Sequence, residues 1–570
     1  DGMVLRDNHL VLKGASAIPD ILTHDSFYGA IGISANLAGG RYRPLSLVSF
    51  AIEVSIFGEK PFVHHLFNVF LYAITAIVLL NFLNKFIFPK QPMASLIAGL
   101  LFVFHPIHTE VVANIKSRDE IFSLLFLLLT LHYLLLYLKE SKRSKHFFLA
   151  MLFYFLALFS KENGLIFVVM IPLTIFFFTK EKIRGIILNS LPFIALAAFY
   201  VLVRYMLLGF QNNTVSEVMD NPYVLATASQ KYATILFVFL KYLQLLFFPH
   251  PLTFDYSYHQ IPYRDFSDPL VLFSLIIYLS LGVYALISLR KKDFLGWCII
   301  FFFGALFIVS NIFFNVGAPL AERFLYQATV PFVIVIVELC RRIFLLTKTS
   351  KAFSATAVSV VLTIILIASS YATITRNTDW KSDDTIFLHD VKISSNSARA
   401  NTYAGISLIR ITDEQKDAPE KRLHLLKAVD YLKAAQAIKP DYLPTLLNMG
   451  VAYSRLDSPD AAEAIWAKAR VIEPGNPNYK SYDAYLFQKF YDRGMAEGAK
   501  QNFFAAVVDL EKAVKYNPSS ADAWFNLGGA YFSVKNFEKA KSAWEKALQL
   551  NPDLPKAKLG IATINQMPSK

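Results

Sequence analysis

Short motifs of charged and polar residues recur at the ends of the apolar stretches of this chain. In order they are Asp1 to Asn8, Arg41-Tyr42-Arg43-Pro44-Leu45, His105-Pro106-Ile107-His108-Thr109-Glu110, Arg118-Asp119-Glu120, Ser160-Lys161-Glu162, Asp220-Asn221-Pro222, Asp255-Tyr256 and Glu322-Arg323. A carboxylate can take a proton from a hydroxyl, and Arg or Lys can stabilise a phosphate. Because charged groups are costly to bury in a bilayer, we expect them mainly where they act.

These motifs favour chemistry on an anionic substrate at the membrane surface. We predict that Arg43, Lys161 and Arg323 bind a donor phosphate. The other predicted active-site residues are Asp7, Asn8, His105, His108, Glu110, Arg118, Asp119, Glu162, Asp255 and Glu322. For the cations the alternative is a structural ion pair with Glu110, Glu162 or Glu322.

Two imidazoles raise the question of a metal site. His105 and His108 are three residues apart, and Glu110 follows them. The intervening Pro106 breaks a regular helical face, and no further Cys or His cluster completes a ligand set. We predict no metal, and we assign both histidines to hydrogen bonds at a helix end.

The composition is that of a membrane protein. The chain has 570 residues, of which 55% are hydrophobic and 15% aromatic. A span requires about 20 apolar residues. Candidate spans are 62–84, 94–112, 119–138, 147–159, 164–179, 186–206, 232–248, 269–289, 294–313, 324–340 and 353–373.

The distribution of basic residues predicts which side each loop faces. The loops 85–93, 139–146, 180–185, 290–293 and 341–352 carry 16 Lys and Arg, whereas the intervening loops carry 6. The first set is therefore predicted to be cytoplasmic, and the motifs to face outward. The net charge of +13 is then no indication of nucleic-acid binding. For this scheme to hold, 232–248 must be a re-entrant or interfacial helix.

Two further features concern the membrane half. Cys298 and Cys340 both fall in predicted spans, where each is expected to be a small apolar core residue rather than half of a disulfide. The segment 1–61 is predicted to be an outer loop, which needs a preceding helix to carry it across the bilayer. We therefore expect an anchor helix before Asp1.

The C-terminal part carries an internal repeat. Pro440, Pro474, Pro518 and Pro552 are separated by 34, 44 and 34 residues. A period of 34 residues is typical of tetratricopeptide repeats, and the longer interval adds about ten residues. The clearest unit runs from Ala521 to Leu554. About four units are predicted, whose concave groove would bind polypeptide.

The predicted fold is therefore all-α, with a polytopic membrane domain followed by a repeat solenoid. Its parts are an outer loop 1–61, the transmembrane domain 62–373, a linker 374–397 and the repeats 398–570.

The ordered motifs, followed by tetratricopeptide repeats, resemble the transmembrane and tetratricopeptide-repeat containing (TMTC) proteins along essentially the whole chain. This resemblance implies a glycosyltransferase of the GT-C class. Such an enzyme transfers mannose from a polyprenyl-phosphate donor such as dolichyl-phosphate mannose to Ser or Thr hydroxyls, with inversion and without a further cofactor. It also implies an acidic pair at the start of the first outer loop. Asp1 matches the second member and is the predicted base.

The short repeat array is more similar to a prokaryotic relative, so the sugar need not be mannose. The repeats are then expected in the periplasm or at the outer cell face, or in the endoplasmic reticulum lumen of a eukaryote. Other functions stay open: transfer to a lipid or glycan, a non-catalytic membrane scaffold, or a transporter. A scaffold needs fewer spans, and a transporter should place its polar residues at the bilayer midplane.

Overall fold

The computed structural model describes residues 2–32, 40–209, 217–219, 221–313, 315–346, 351–415 and 418–567. Within these ranges the chain consists of helices and loops and contains no β-strand. It divides into two compact units, residues 1–400 and 401–570. The predicted all-α class, a membrane helical domain followed by a repeat solenoid, is confirmed.

A helix occupies the position of every predicted span in the first unit. The main helices are Pro44–Phe57, Pro61–Phe82, Pro92–Val103, Arg118–Leu136, Ser144–Ser160, Phe167–Phe178, Ile183–Leu208, Ala228–Phe247, Pro269–Lys291, Phe294–Phe307, Thr329–Leu346 and Lys351–Asp379. Short α or 3-10 turns lie between them at Pro106–His108, Thr109–Ala113, Ile115–Ser117, Glu162–Ile166 and Glu322–Leu325. These turns contain most of the motif His105 to Glu110, the residue Glu162 and the pair Glu322-Arg323.

Fewer helices reach a full bilayer thickness than the eleven predicted. The long apolar ones are Pro61–Ile87, Ile115–Glu140, Ile183–Leu208, Pro269–Lys291 and Thr356–Asp379. The helices Pro92–Val103 and Pro106–Ala113 form a sixth, broken span, bent by 49°. The bend lies at His105, because a residue before proline is disfavoured in the helical conformation. The predicted span 294–313 is shorter than expected, since its helix ends at Phe307.

The predicted outer loop is itself a folded segment. It contains three short helices, His9–Leu12, Ile18–Thr23 and Tyr28–Ile31, and then the longer helix Pro44–Phe57. A small apolar core joins them, including the buried Val11, Ile21, Phe27, Phe50 and Ala51. Pro44 occupies the first turn of its helix, where no backbone N–H is required. The residues just before Pro44 are therefore held between two packed parts.

The predicted linker 374–397 belongs to the first unit and is folded. Helix Lys351–Asp379 extends into it, and a second helix covers Asp383–Asp390. The Asp390 carboxylate accepts two hydrogen bonds from Arg376, at 2.5 and 2.7 Å. Because this ion pair is buried, the segment is fixed, and the sequence-based description of a linker is wrong.

The second unit is a stack of paired helices. They are Ala418–Ile438, Leu443–Arg455, Pro459–Ile472, Tyr479–Ala499, Phe503–Tyr516, Ala521–Ser533, Phe537–Leu550 and Pro555–Asn565, preceded by Ala398–Glu414 at the boundary. The additional residues in the longer interval lengthen Tyr479–Ala499 to 21 residues, whereas Ala521–Ser533 has 13. Small residues allow the paired helices to approach closely, as at Gly528 beside Trp544.

Two adjacent glycines test this packing. A Cβ on Gly528 would lie 2.4 Å from the Trp544 ring, which is anchored by an indole N–H donated to the Phe525 carbonyl at 3.0 Å. A Cβ on Gly529 would meet nothing within 4 Å. We expect Gly528→Ala to lower the free energy of unfolding by about 1–3 kcal/mol, and Gly529→Ala to raise it by up to about 1 kcal/mol. Tryptophan-fluorescence thermal unfolding of the detergent-solubilised chain measures both; equal effects would contradict the packing.

Candidate active site

Arg43 is fixed by the backbone on each side of it. Its N–H donates to the Ser26 hydroxyl at 3.0 Å. The preceding Tyr42 is buried, and its hydroxyl donates to the Leu22 carbonyl at 2.7 Å. These contacts connect Arg43 to the folded outer segment, while Pro44 starts the next helix. The guanidinium therefore projects from a rigid base.

The Arg43 guanidinium joins two helix ends that are distant in sequence. Its Nη1 donates to Asp119 at 2.7 Å, and its Nε donates to Glu162 at 2.8 Å. Burial by itself lowers the pKa of Arg43, but the two carboxylates outweigh it and raise that pKa above the usual value. About a fifth of the side chain stays exposed. The remaining surface can meet an anion that approaches from outside the cluster.

Lys161 is enclosed more completely than Arg43. Its ammonium makes a short ion pair with Glu120, and both side chains are at most 5% exposed. The sequence predicted Lys161 as a phosphate ligand. In the structure its charge is already matched inside the protein, so Lys161 is the least accessible of the three predicted cations.

Arg323 is the most accessible of the three. Its side chain is 34% exposed and forms a short ion pair with Glu110. Its backbone N–H also donates to Glu110, at 2.8 Å. Burial lowers the pKa of Arg323, but the Glu110 charge outweighs this and raises it overall. The residue is thus cationic, and part of its side chain is exposed.

Other cations crowd the same region. Burial lowers the pKa of Arg41 to about 10, and the positive charges of Arg43 and Arg323 add to that effect. The Arg41 guanidinium and the Lys116 ammonium each lie 5.2 Å from the Phe27 ring centroid. Like charges held this close repel one another, and a bound anion would relieve the repulsion. The cluster therefore suits a phosphate.

Glu322 lies beside this cluster but is not paired with a cation by a direct contact. Its Oε1 accepts the Thr253 N–H at 2.5 Å and the Tyr256 hydroxyl at 3.1 Å. Burial raises the pKa of Glu322 to about 8, and the nearby charge of Glu110 contributes; Arg376 opposes the shift. Glu322 is therefore mainly neutral near pH 7.

Three predicted site residues have structural roles instead. All five donors of the buried Arg118 guanidinium are used, by Glu53, Asn68, Ser49 and the His64 carbonyl. Asn8 caps the helix His9–Leu12 by accepting the Val11 N–H. Asp7 is exposed and pairs with Arg6 at 3.1 Å. A ligand contact with Arg118 would require breaking one of these existing hydrogen bonds.

The two histidines and Asp255 are also occupied by protein groups. His105 accepts the Ile107 N–H at 3.3 Å through Nδ1, which matches the helix-end role predicted for it. His108 Nδ1 lies 2.8 Å from the Tyr72 hydroxyl. Asp255 binds the hydroxyls of Ser257 and Ser397. Across the described ranges, no three His, Cys, Asp or Glu side chains are grouped as metal ligands. The predicted base, Asp1, lies outside the described residues.

Several members of the charged network were missed. Glu53 lies in the apolar helix Pro44–Phe57 and pairs with Arg118 and His64. Arg204 lies near the end of helix Ile183–Leu208 and donates to the Gly40 carbonyl at 3.1 Å. An ionisable residue within an apolar stretch was the signal that could have revealed both. Glu120 belongs to the motif Arg118-Asp119-Glu120, but no role was predicted for it.

Comparison with known proteins matches both halves of the chain. Residues 44–208 match the family model "Dolichyl-phosphate-mannose-protein mannosyltransferase", and residues 521–554 match the tetratricopeptide repeat. The second range coincides with the predicted unit. Mouse protein O-mannosyl-transferase TMTC3 is 24% identical over 96% of this chain and 62% of its own length. A Caenorhabditis elegans protein O-mannosyl-transferase, F38B6.6, is 28% identical over 70% of this chain and 55% of its own length.

The family-model matches, together with TMTC relatives along most of the chain, support the TMTC family. The chain spans about 62% of the length of the mouse TMTC3 protein. The residues matched to the mannosyltransferase model include Glu110, Asp119, Lys161 and Glu162, whereas Arg43 and Arg323 lie outside the match. Among solved structures, MamA is 24% identical, covering 27% of this chain and 85% of its own, with a TM-score of 0.17.

The pKa of Glu322 predicts how stability depends on pH. Because the folded-state pKa is about 8 and the ordinary value is 4.5, folding favours the protonated carboxyl. Its contribution is complete below pH 4.5 and is lost as the pH rises through about 8. We expect the unfolding midpoint of the solubilised chain to fall over this interval, and less steeply for Glu322→Gln, which cannot ionise. Parallel curves for the two proteins would contradict a raised pKa.

Proposed function

We propose that this chain is a membrane glycosyltransferase that moves a mannose-like sugar from a polyprenyl-phosphate donor to Ser or Thr hydroxyls of extracytoplasmic proteins. The observation that carries the proposal is the cluster of Arg43, Arg323 and Arg41, which gathers positive charge between helix ends of the membrane unit. Similarity to the TMTC proteins supports the reaction class. The family model and the relatives' names support mannose as the sugar.

The chemistry of the proposed donor explains why positive charges would be gathered in this cluster. When the sugar leaves a polyprenyl phosphate, the phosphate keeps the bonding electron pair and becomes a phosphate monoester anion. Such a leaving group needs cationic stabilisation more than it needs a general acid. Arg43 and Arg323 have partly exposed side chains, and carboxylates hold both guanidinium groups in place. They are the proposed ligands of this phosphate. Lys161, the third predicted cation, is more enclosed than either.

The acceptor hydroxyl must lose its proton as the new C–O bond forms, so a base is required. The described carboxylates beside the cations are poorly suited to this task. Asp119 and Glu162 are bound to Arg43, and Glu110 is bound to Arg323. A carboxylate held by a cation is a weaker base. This supports Asp1, the family's acidic position, as the base. Direct displacement by the hydroxyl would invert the anomeric carbon.

The repeat unit has a place in this scheme as the holder of the acceptor polypeptide. Tetratricopeptide units stack into a concave surface of the kind that binds extended chains. The charge bias of the loops supports an extracytoplasmic location for the site and for the repeats. A protein acceptor that enters the secretory pathway or periplasm would meet both.

The phosphate role is tested at Arg323. We expect Arg323→Ala to lower sugar transfer by about 10² to 10³-fold, as for loss of one group that stabilises developing negative charge. The assay incubates the purified chain with radiolabelled dolichyl-phosphate mannose and secreted acceptor proteins, and measures label retained on protein. Arg6→Ala, at an exposed arginine on the outer segment, serves as the matched control. An Arg323→Ala enzyme of normal activity would remove Arg323 from the site.

The base is tested at Asp1. We expect Asp1→Asn to lower transfer by about 10² to 10⁴-fold, because the amide cannot accept the hydroxyl proton. Asp20→Asn makes the same change at an exposed aspartate of the outer segment and should leave the rate unchanged. The same radiolabel assay applies. Full activity of the Asp1 variant would assign the proton transfer to another group.

A further inference from the structure

One loop of the membrane unit holds Glu322 in place. Residues 251–260 follow helix Ala228–Phe247 and contact Glu322, the first residue of the 3-10 turn Glu322–Leu325. Two groups of this loop, the Thr253 N–H and the Tyr256 hydroxyl, donate to the same oxygen, Glu322 Oε1. Two donors from neighbouring residues on one acceptor fix both the position and the direction of the carboxyl group.

The opposite side of the loop is fastened to residues 390–398, also in the first unit. The Phe254 N–H donates to Asp390 at 2.6 Å. The Ser394 hydroxyl donates to the Asp255 carbonyl at 2.7 Å, and the Ala398 N–H donates to the Tyr258 carbonyl at 2.9 Å. Since these bonds are distributed along the loop, the loop cannot shift without breaking several of them. It is a rigid support for Glu322.

Glu322 and its neighbour Arg323 are held from different directions. The loop binds the Glu322 side chain, whereas Glu110 accepts both the backbone N–H and the guanidinium of Arg323. The peptide between the two residues is therefore fixed at both ends. A change in the Glu322 side chain would be transmitted directly to the backbone that carries the Arg323 guanidinium.

The charges around Glu322 agree with a positioning role. The ionisable groups near it are Glu110, Arg376 and Tyr256, from three different elements. Glu110 already neutralises Arg323, so a second carboxylate charge beside that pair would weaken the attraction of Arg323 for a phosphate. A neutral Glu322 can still accept both hydrogen bonds. It thus orients Arg323 without reducing the local positive potential.

We propose that Glu322 is a positioning residue that acts through its bonds to Thr253 and Tyr256 to hold Arg323 in the orientation that meets the donor phosphate. This inference rests on the proposed function, because it assigns Arg323 to the donor. It concerns residues outside 44–208, the part matched to the mannosyltransferase family model. Glu322 itself need not touch the substrate.

The test compares the loss of a tyrosine hydroxyl within the loop with the same loss just after it. Tyr256→Phe removes a donor to Glu322, and Tyr263→Phe removes a hydroxyl that donates to the Pro222 carbonyl at 2.8 Å. We expect Tyr256→Phe to raise the KM for dolichyl-phosphate mannose by about three- to tenfold, the usual effect of one lost hydrogen bond, while its kcat changes less. Tyr263→Phe should retain the wild-type KM. Equal KM values for the two variants would overturn the proposal.

A further variant separates positioning from simple stabilisation. Glu322→Gln keeps an acceptor oxygen without a titratable proton. Its rate should therefore fall less between neutral pH and about pH 9 than the rate of the wild type, in which Glu322 ionises. Inactivity of this variant near neutral pH would show that an ionised carboxylate is required and would overturn the proposal.

Binding distinguishes this inference from the proposed function. The probe is undecaprenyl phosphate, added to the full chain in lipid nanodiscs. If the wild type binds it but transfers no sugar, the proposed function fails, while weaker binding by Tyr256→Phe than by Tyr263→Phe still supports positioning. Equal binding by both variants, with unfolding midpoints that match the wild type, would overturn the positioning role of Glu322. The proposed function would then be tested by the transfer assay alone.

Discussion

An arginine or lysine taken out of water costs several kcal/mol unless a carboxylate accompanies it. The first unit meets this constraint with pairs drawn from distant parts of the chain. Arg43 binds Asp119 and Glu162, Lys161 binds Glu120, and Arg323 binds Glu110. Each pair joins the ends of different helices, so the electrostatic requirement also sets how those helix ends are arranged. The site is assembled by the same contacts that allow its charges to be buried.

This arrangement gives the charged residues two kinds of task. Arg118 has all of its donors satisfied and joins the folded outer segment to the membrane helices. Arg43 and Arg323 keep part of their guanidinium groups exposed, which makes them available to a ligand. The two classes contain the same residue type in similar motifs. Their burial and the number of their partners separate them, and both follow from packing.

Much of the architecture could be predicted because it depends on local patterns. Apolar stretches predicted helices at the correct positions, and the spacing of Pro518 and Pro552 located the repeat unit that the family comparison also found. The predictions failed where contacts between residues distant in sequence determine the structure. The folded segment 374–397 and the bonds of Arg118 both depend on partners far away in sequence.

The amino-acid sequence by itself determined the all-α class, the division into a membrane half and a repeat half, and the motifs that supply the charges. Hydrophobic periodicity and proline spacing act over a few tens of residues, so one chain segment is enough to define them. Only the tertiary structure decided which carboxylate neutralises which cation, and therefore which cations stay open to a ligand. That choice depends on distances between helix ends, and these distances exist only once the helices have packed.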